Sequence, residues 1–255
     1  MNEKVIGIMG AMHEEINSVL ELMTGVEEFS FGKRTYYTGT INGIKTVLVF
    51  SRWGKVAAAT TVTSLITRFN ITDLIFIGVA GAIDPKLKIG DVVIADRLIQ
   101  HDMDARPLMP RFEIPLLGLS YFETEPRHLT RAQQAVEGMF NRGIQKFINQ
   151  EEIERFALNA PRLYTGDIAS GDKFFASQED KEALHAVLPE TLCVEMEGAA
   201  VAQVCYEYEV PFVVIRIISD ECNENSSIDF PDFIQNVSSR YAHRIIENIF
   251  ELGIS

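Results

Sequence analysis

The feature that most constrains this chain is an alternation along its length, in which apolar runs bounded by Gly, Asp or Pro take turns with segments of helical period. A strand buried on both faces reads as a continuous apolar run, and a helix that covers it shows an apolar stripe at i, i+3, i+4, i+7. The alternation predicts an α/β fold, a single domain over residues 1–255 with a central mixed β-sheet flanked by helices. Residues 4–9 form the first expected strand, and Ile16, Val19, Leu20 and Met23 then mark a helix from about His13. Residues 34–41 and 44–51 flank Asn42-Gly43, a pair suited to the type I′ turn of a hairpin, so the sheet is mixed. A helix over 54–69, rich in Ala, Thr and Val, leads to a buried strand at 74–77. Further strands are expected at 91–95, 163–168, 192–195 and 212–218, with helices at 127–141, 177–187, 197–208 and 230–252. Ser177 and Asp180 stand at capping-box spacing. Residues 104–121 carry Pro107, Pro110 and Pro115 without a period and read as a long loop.

Composition narrows the class of function. With 47% hydrophobic and 23% charged residues in 255, the chain can bury a sizeable core. Apolar runs fall short of the ~20 residues a membrane span needs. The start, Met1-Asn2-Glu3-Lys4, lacks the regions of a signal peptide, and the expectation is a cytoplasmic protein with no membrane partner. A net charge of −13 argues against a nucleic-acid partner, whose binding rests on Lys and Arg neutralising phosphates, and favours a small molecule. Cys193, Cys205 and Cys222 are odd in number and lack zinc-ligand spacing, so free thiols and no metal are expected.

Acidic residues gather at the ends of expected strands, where open α/β sheets bind ligands: Glu14-Glu15, Asp102 and Asp104, Glu195 and Glu197 around Met196, and Asp220. Each also has a structural reading, since first-turn carboxylates complement a helix dipole and Asp220 can cap a turn. Gly78-Val79-Ala80-Gly81 lacks the spacing of a dinucleotide loop, and no Walker lysine follows, so close backbone packing accounts for it and no cofactor is expected. His101-Asp102-Met103-Asp104 has no second histidine nearby and reads as a hydrogen-bonded corner rather than a metal site.

In combination these pieces say more. Gly10-Ala11-Met12-His13-Glu14-Glu15, Gly54-Lys55-Val56-Ala57-Ala58-Ala59, Leu87-Lys88-Ile89-Gly90-Asp91-Val92-Val93, His101-Asp102-Met103-Asp104, Ser170-Gly171-Asp172, Val194-Glu195-Met196-Glu197 and the run from Pro211 to Ser219-Asp220 follow one another in order over nearly the whole chain. In this the chain resembles the 5′-methylthioadenosine/S-adenosylhomocysteine nucleosidases of the purine nucleoside phosphorylase superfamily. The resemblance implies a hydrolase that cleaves the bond between purine N9 and ribose C1′, with a nucleoside as its small-molecule partner. It further implies a homodimer in which the loop after Asp104 completes the neighbouring subunit's pocket.

The resemblance also implies roles. Glu15 is similar to the residue that binds and activates water, and Asp220 to the general acid that protonates adenine N7, held by Ser219. Glu197 with Met196 resembles the ribose clamp, and Arg216 the arginine that positions the Glu197 carboxylate. Phe174 is expected to stack on the base, with the peptide of Phe175 as a hydrogen-bond partner, and Met12 and Phe230 to border the ribose and its 5′ substituent. The chemistry fits independently, because glycosidic cleavage builds positive charge on the sugar and negative charge on the purine. Asp220 then has to carry a proton to give, whereas Glu15 has to be able to take one. Three features depart from the family pattern: Val79 in place of a serine, Arg52-Trp53 in place of a glycine and a small aliphatic residue, and the proline-rich loop after Asp104. All three bear on the 5′ group, which leaves a futalosine-type substrate open. A phosphorylase is the rival enzyme, with Arg52 as a substitute cation where Ile77 stands before Gly78, and a non-catalytic nucleoside sensor is the rival binder.

Overall fold

A computed structural model describes residues 3–222 and 230–253, and among these ten strands join one mixed sheet. The first part of the chain runs β1 (Val5–Gly10), α1 (His13–Leu20), β2 (Thr24–Phe31), β3 (Arg34–Ile41), β4 (Ile44–Phe50), α2 (Lys55–Phe69), β5 (Asp73–Ala82) and β6 (Val92–Gln100). Next come β7 (Tyr121–Glu123), α3 (Pro126–Arg142), α4 (Gln150–Arg155), β8 (Leu163–Ser170), α5 (Gln178–Val187), β9 (Thr191–Glu195) and α6 (Gly198–Glu207). Last are β10 (Phe212–Asp220), α7 (Phe230–Phe233), a π turn over Ile234–Ser238, and α8 (Ser239–Glu251). Among the described residues no helix is long and apolar enough to cross a membrane.

The strand pairing creates the place for a site. β5, β10, β6, β8 and β9 close into a ring, because β10 bonds both β5 and β6 while β9 bonds both β8 and β5. The remaining strands β1, β4, β3 and β2 extend from β5 as an open arm. On the edge away from β10, β5 pairs with β1 through residues 73–77 and with β9 only at Gly81 and Ala82. β1 runs parallel to β5 and β9 antiparallel, so the two carboxyl ends approach one another across the middle of β5. Gly78 stands at this crossing. A Cβ there would lie 3.1 Å from the Ala11 Cβ and 3.3 Å from Arg216 Nη1, so the absence of a side chain lets three segments converge.

The core occupies both sides of the sheet. β10 is buried along its whole length, and its alternate residues feed different clusters. Val213, Ile215 and Ile217 join the side covered by α1, α3 and α8, while Phe212, Val214 and Ile218 join the side covered by α2 and α6. This is the period of two expected of a strand buried on both faces. Burying an aliphatic side chain of this kind stabilises by ~1.5–3 kcal/mol. Arg216 breaks the apolar series at a fully buried position, which calls for a partner.

Most expected elements are present, and Asn42 and Gly43 both have positive φ, as a type I′ turn requires. β5 and β6 extend past the expected 74–77 and 91–95 to the residues that frame the site. β2, β7 and α4 were not expected. β2 is exposed along its length and shows no alternation, β7 has three residues, and α4 carries no buried residue. The helix expected over 230–252 is interrupted by the π turn, near which Ser239 Oγ donates to the Gln235 carbonyl at 2.6 Å. Residues 104–120 form turns with one bridge, Ile114 to Leu119, as the loop reading required.

Candidate active site

A cavity of about 240 Å³ opens where the carboxyl ends of β1, β9 and β10 gather along the second half of β5. Ten of the expected site residues line it: Met12, Trp53, Val79, Phe174, Phe175, Met196, Glu197, Ser219, Asp220 and Phe230. Ala11, Ala80, Gly81, Lys173, Val194, Glu195, Cys222 and Pro231 complete the wall. Arg52, Glu15 and Arg216 do not line it. The Arg52 guanidinium donates to the Lys33 carbonyl in the turn between β2 and β3, which corrects its expected place at the pocket edge. Trp53, the next residue, is 63% exposed and donates from Nε1 to the Ala11 carbonyl at 3.1 Å, just past the end of the adjacent strand β1.

Asp220 ends β10 with its carboxylate buried in the wall. Ser219 Oγ donates to its Oδ2 at 2.8 Å, as expected, and the Cys222 backbone N–H donates to Oδ1 at 2.9 Å. Gly81 backs this turn: a Cβ there would fall 3.0 Å from Asp220 Oδ1 and collide with the Cys222 sulfur. Both glycines of the Gly78-Val79-Ala80-Gly81 segment therefore serve close packing.

The expected pairing of Arg216 with Glu197 is corrected by the structure. Arg216 pairs with Glu195, donating to Oε2 from Nη2 at 2.6 Å and from Nε at 3.2 Å, with its guanidinium stacked 4.1 Å from the Phe76 ring centre. Glu195 also accepts the N–H groups of Glu197 and Gly198 and the hydroxyl of Ser170, which in turn accepts the Ala199 N–H. A carboxylate at the amino end of α6 is favoured by the helix dipole, and burial demands a countercharge, so the arginine goes there. The sequence shows Glu195 and Glu197 as two acids in one short segment, and spacing alone does not say which of them the arginine meets.

Glu197 turns away from Arg216. Its Oε1 accepts the Gly54 N–H at 2.8 Å, and its side chain reaches the cavity. Burial, reinforced by the negative charge of Glu195, raises its pKa well above the carboxylate range. The amino end of α2 is held in place by Asp172, which accepts the Lys55 N–H at 2.8 Å. Asp102 binds the Lys55 ammonium at 2.6 Å and the Asp172 N–H at 3.0 Å. Asp104 pairs with Arg106 at the surface, and His101 packs edge-on against Phe175. The His101 to Asp104 segment is thus a structural corner, and among the described residues no group of three His, Cys, Asp or Glu converges on a metal site. All three cysteines are buried free thiols.

Glu15 lies one layer behind the cavity wall, fully buried. Its Oε2 accepts the N–H groups of Ala11 and Met12 at 3.1 and 3.0 Å, and its Oε1 accepts the Ser238 hydroxyl at 2.7 Å. Burial raises its pKa to about 7, against the pull of those hydrogen bonds and of the nearby Arg216 charge. An acid with this value can exchange a proton near neutral pH. No sequence signal marks Ser238, which lies inside an apparently unbroken helical stretch. Phe174, 46% exposed, meets Phe230 at the mouth with ring centres 6.2 Å apart and nearly perpendicular planes.

An apolar cavity at the crossing of an α/β ring, with buried acids at its strand ends, defines an enzyme domain that handles a small ligand. The chain belongs to the phosphorylase superfamily, whose family model matches residues 5–251. A 5′-methylthioadenosine/S-adenosylhomocysteine nucleosidase of Staphylococcus aureus (strain bovine RF122 / ET3-1) is 33% identical over 235 residues, covering 92% of this chain and 94% of its own. The S-adenosylhomocysteine nucleosidase of Streptococcus pyogenes, solved with 5-methylthiotubericidin, superposes with a TM-score of 0.85 at 30% identity, over 100% of this chain and 99% of its own. The futalosine hydrolase of Helicobacter pylori strain 26695 superposes with a TM-score of 0.83 at 32% identity, over 98% of each chain.

Proposed function

We propose that this enzyme hydrolyses the N-glycosidic bond of 5′-methylthioadenosine and S-adenosylhomocysteine, releasing adenine and the corresponding 5′-thioribose. The observation that carries the reading is the convergence of Asp220 and Glu197 on one apolar cavity with Glu15 directly behind it, in a chain about one-third identical to nucleosidases of that name. In this reading adenine lies between Phe174 and the Asp220 end, with the Phe175 peptide at its edge. Met196 and Glu197 hold the ribose hydroxyls, and Met12, Trp53, Val79 and Phe230 enclose the sugar and its 5′ group. Water attacks C1′ and the C1′–N9 bond breaks, its electron pair passing to the purine. Asp220 gives its proton to N7 while Glu15 takes one from the water, so negative charge never accumulates on the leaving group. Glu15 Oε1 is the accepting atom, because it holds one hydrogen bond where Oε2 holds two. Arg216 serves the site through Glu195, which fixes the turn that presents Met196 and Glu197.

We further infer a cytoplasmic homodimer in which the loop after Asp104 closes the partner's pocket. The exposure of Leu108 (88%), Leu116 (91%) and Val56 (79%) supports this, since apolar side chains so bare are suited to a protein contact. A second reading changes only the 5′ group. The likeness to a futalosine hydrolase and the indole of Trp53 at the opening favour a bulkier substituent. A panel of methylthioadenosine, adenosylhomocysteine, 5′-deoxyadenosine and futalosine, read by free base with and without phosphate, tests both. Base release from none of them sinks the assignment, and release that requires phosphate identifies a phosphorylase.

A further inference from the structure

The buried hydroxyl of Ser238 is the only side-chain donor to Glu15 among the described residues, and it comes from the opposite end of the chain, 223 positions away. It sits at the end of the π turn, which begins directly after α7, and α7 supplies Phe230 and Pro231 to the cavity wall. A second hydroxyl ties the same two segments together. Ser18 Oγ lies 2.7 Å from the Ser239 carbonyl and 2.9 Å from the Glu15 carbonyl. The register of the π turn is thus fixed against α1, and Ser238 is aimed at Oε1, the carboxylate oxygen that keeps a free acceptor site.

We propose that Ser238 is a positioning residue for the hydrolysis: its hydroxyl holds the Glu15 carboxylate with Oε1 available to water, and favours the ionised form that takes the water proton. No proton passes to or from Ser238. The inference rests on the reading of Glu15 as the water-activating group. A hydrogen bond given to a carboxylate stabilises its charged form, whereas a serine that merely joined α1 to α8 would leave the titration of Glu15 alone. The other groups around Glu15 are accounted for. Arg216 acts on it from β10, His243 of α8 engages the Ser18 carbonyl at 2.7 Å, the His13 ring packs on Phe50 with centres 4.1 Å apart, and Glu14 is exposed.

The test compares wild type, Ser238→Ala and Ser238→Thr by the pH dependence of kcat/KM for base release and by infrared titration of the Glu15 carboxyl band, assigned through its loss in Glu15→Gln. In Ser238→Ala the acid limb and the band midpoint should both move up by about one pH unit, with about tenfold lower activity on the acid side and convergence at high pH. Ser238→Thr, which returns a hydroxyl, should bring both midpoints back toward wild type. An unmoved band midpoint in folded Ser238→Ala overturns the proposal, as does a uniform loss of activity at all pH values. The band needs no substrate, so an enzyme that released no base while its band still shifted would refute the functional reading and leave the Ser238 contact to Glu15 standing.

Discussion

Replacing Glu15 by Gln should make the protein more stable while removing its activity. The side chain is fully buried, and burial lifts its pKa from 4.5 to about 7. A raised carboxylate pKa means that the folded state holds the proton more tightly than the unfolded chain does. The folded state is therefore penalised as pH rises from the unfolded value toward the folded one, and above about 7 the penalty is complete. At about 1.36 kcal/mol per pH unit it amounts to roughly 3 kcal/mol. Gln keeps the shape and can keep the contacts: its oxygen can accept from Ala11 and Met12, and its amide can donate to Ser238 Oγ acting as acceptor. At pH 8 the variant should gain most of that energy, seen as a rise in Tm of roughly 6–10 °C for a chain of this size. At pH 5, where wild-type Glu15 is already neutral in the folded state, the advantage should fall to about 1 kcal/mol or less. Scanning calorimetry at the two pH values measures the gap directly. A gap equal at both, or a variant less stable than wild type at pH 8, would show that Glu15 is not a buried ionised group held against its preference.

Asp220→Asn preserves shape but cannot give a proton, so kcat should fall by roughly two to four decades with substrate binding retained. A substrate with a better leaving group should restore much of that loss and little of the loss in Glu15→Gln, and equal rescue of the two would undo the division of roles between them. Arg216→Ala strands Glu195 without a countercharge in the interior and should cost about 3–5 kcal/mol in denaturant unfolding, whereas Arg216→Met with Glu195→Gln should recover most of it. Trp53→Ile removes the indole and its bond to the Ala11 carbonyl, and should reorder preference among 5′ substituents more than it slows the best substrate; general destabilisation with an unchanged ranking would make Trp53 a packing residue.

The sheet was legible because strands buried on both faces leave long apolar runs, as in β5 and, on either side of Arg216, in β10. β2 was not, since Val26, Phe29 and Phe31 are spaced without alternation and remain exposed, with Phe31 covered by the Arg68 guanidinium at 4.0 Å. The π turn was hidden because one extra residue in a turn leaves the apolar stripe from Ile234 to Ile249 readable as a helix. The resemblance located the cavity residues, but the partner of Arg216 depended on geometry that spacing does not carry. Glu195 and Glu197 share a strand's period, and only the break at Glu197, with φ −137° and ψ −39°, sends the second carboxylate toward Gly54. The link between Glu15 and Ser238 joins the two ends of the chain, and no local pattern announces a contact of that range.

The exchange of partners along β5 has a consequence for how such a protein changes over evolution. Asp220 and Glu195 close strands of the ring, where a substitution disturbs many neighbours at once, whereas Trp53, Phe174 and Phe230 stand on segments outside any strand, partly bare to solvent. Bond breaking and choice of substrate are therefore written on separate parts of the molecule. Side chains at the rim can be traded singly, at little expense to folding, while the inner acids stay fixed. Such a layout suits a lineage in which proteins about one-third identical to this chain bear the names of enzymes for different nucleosides.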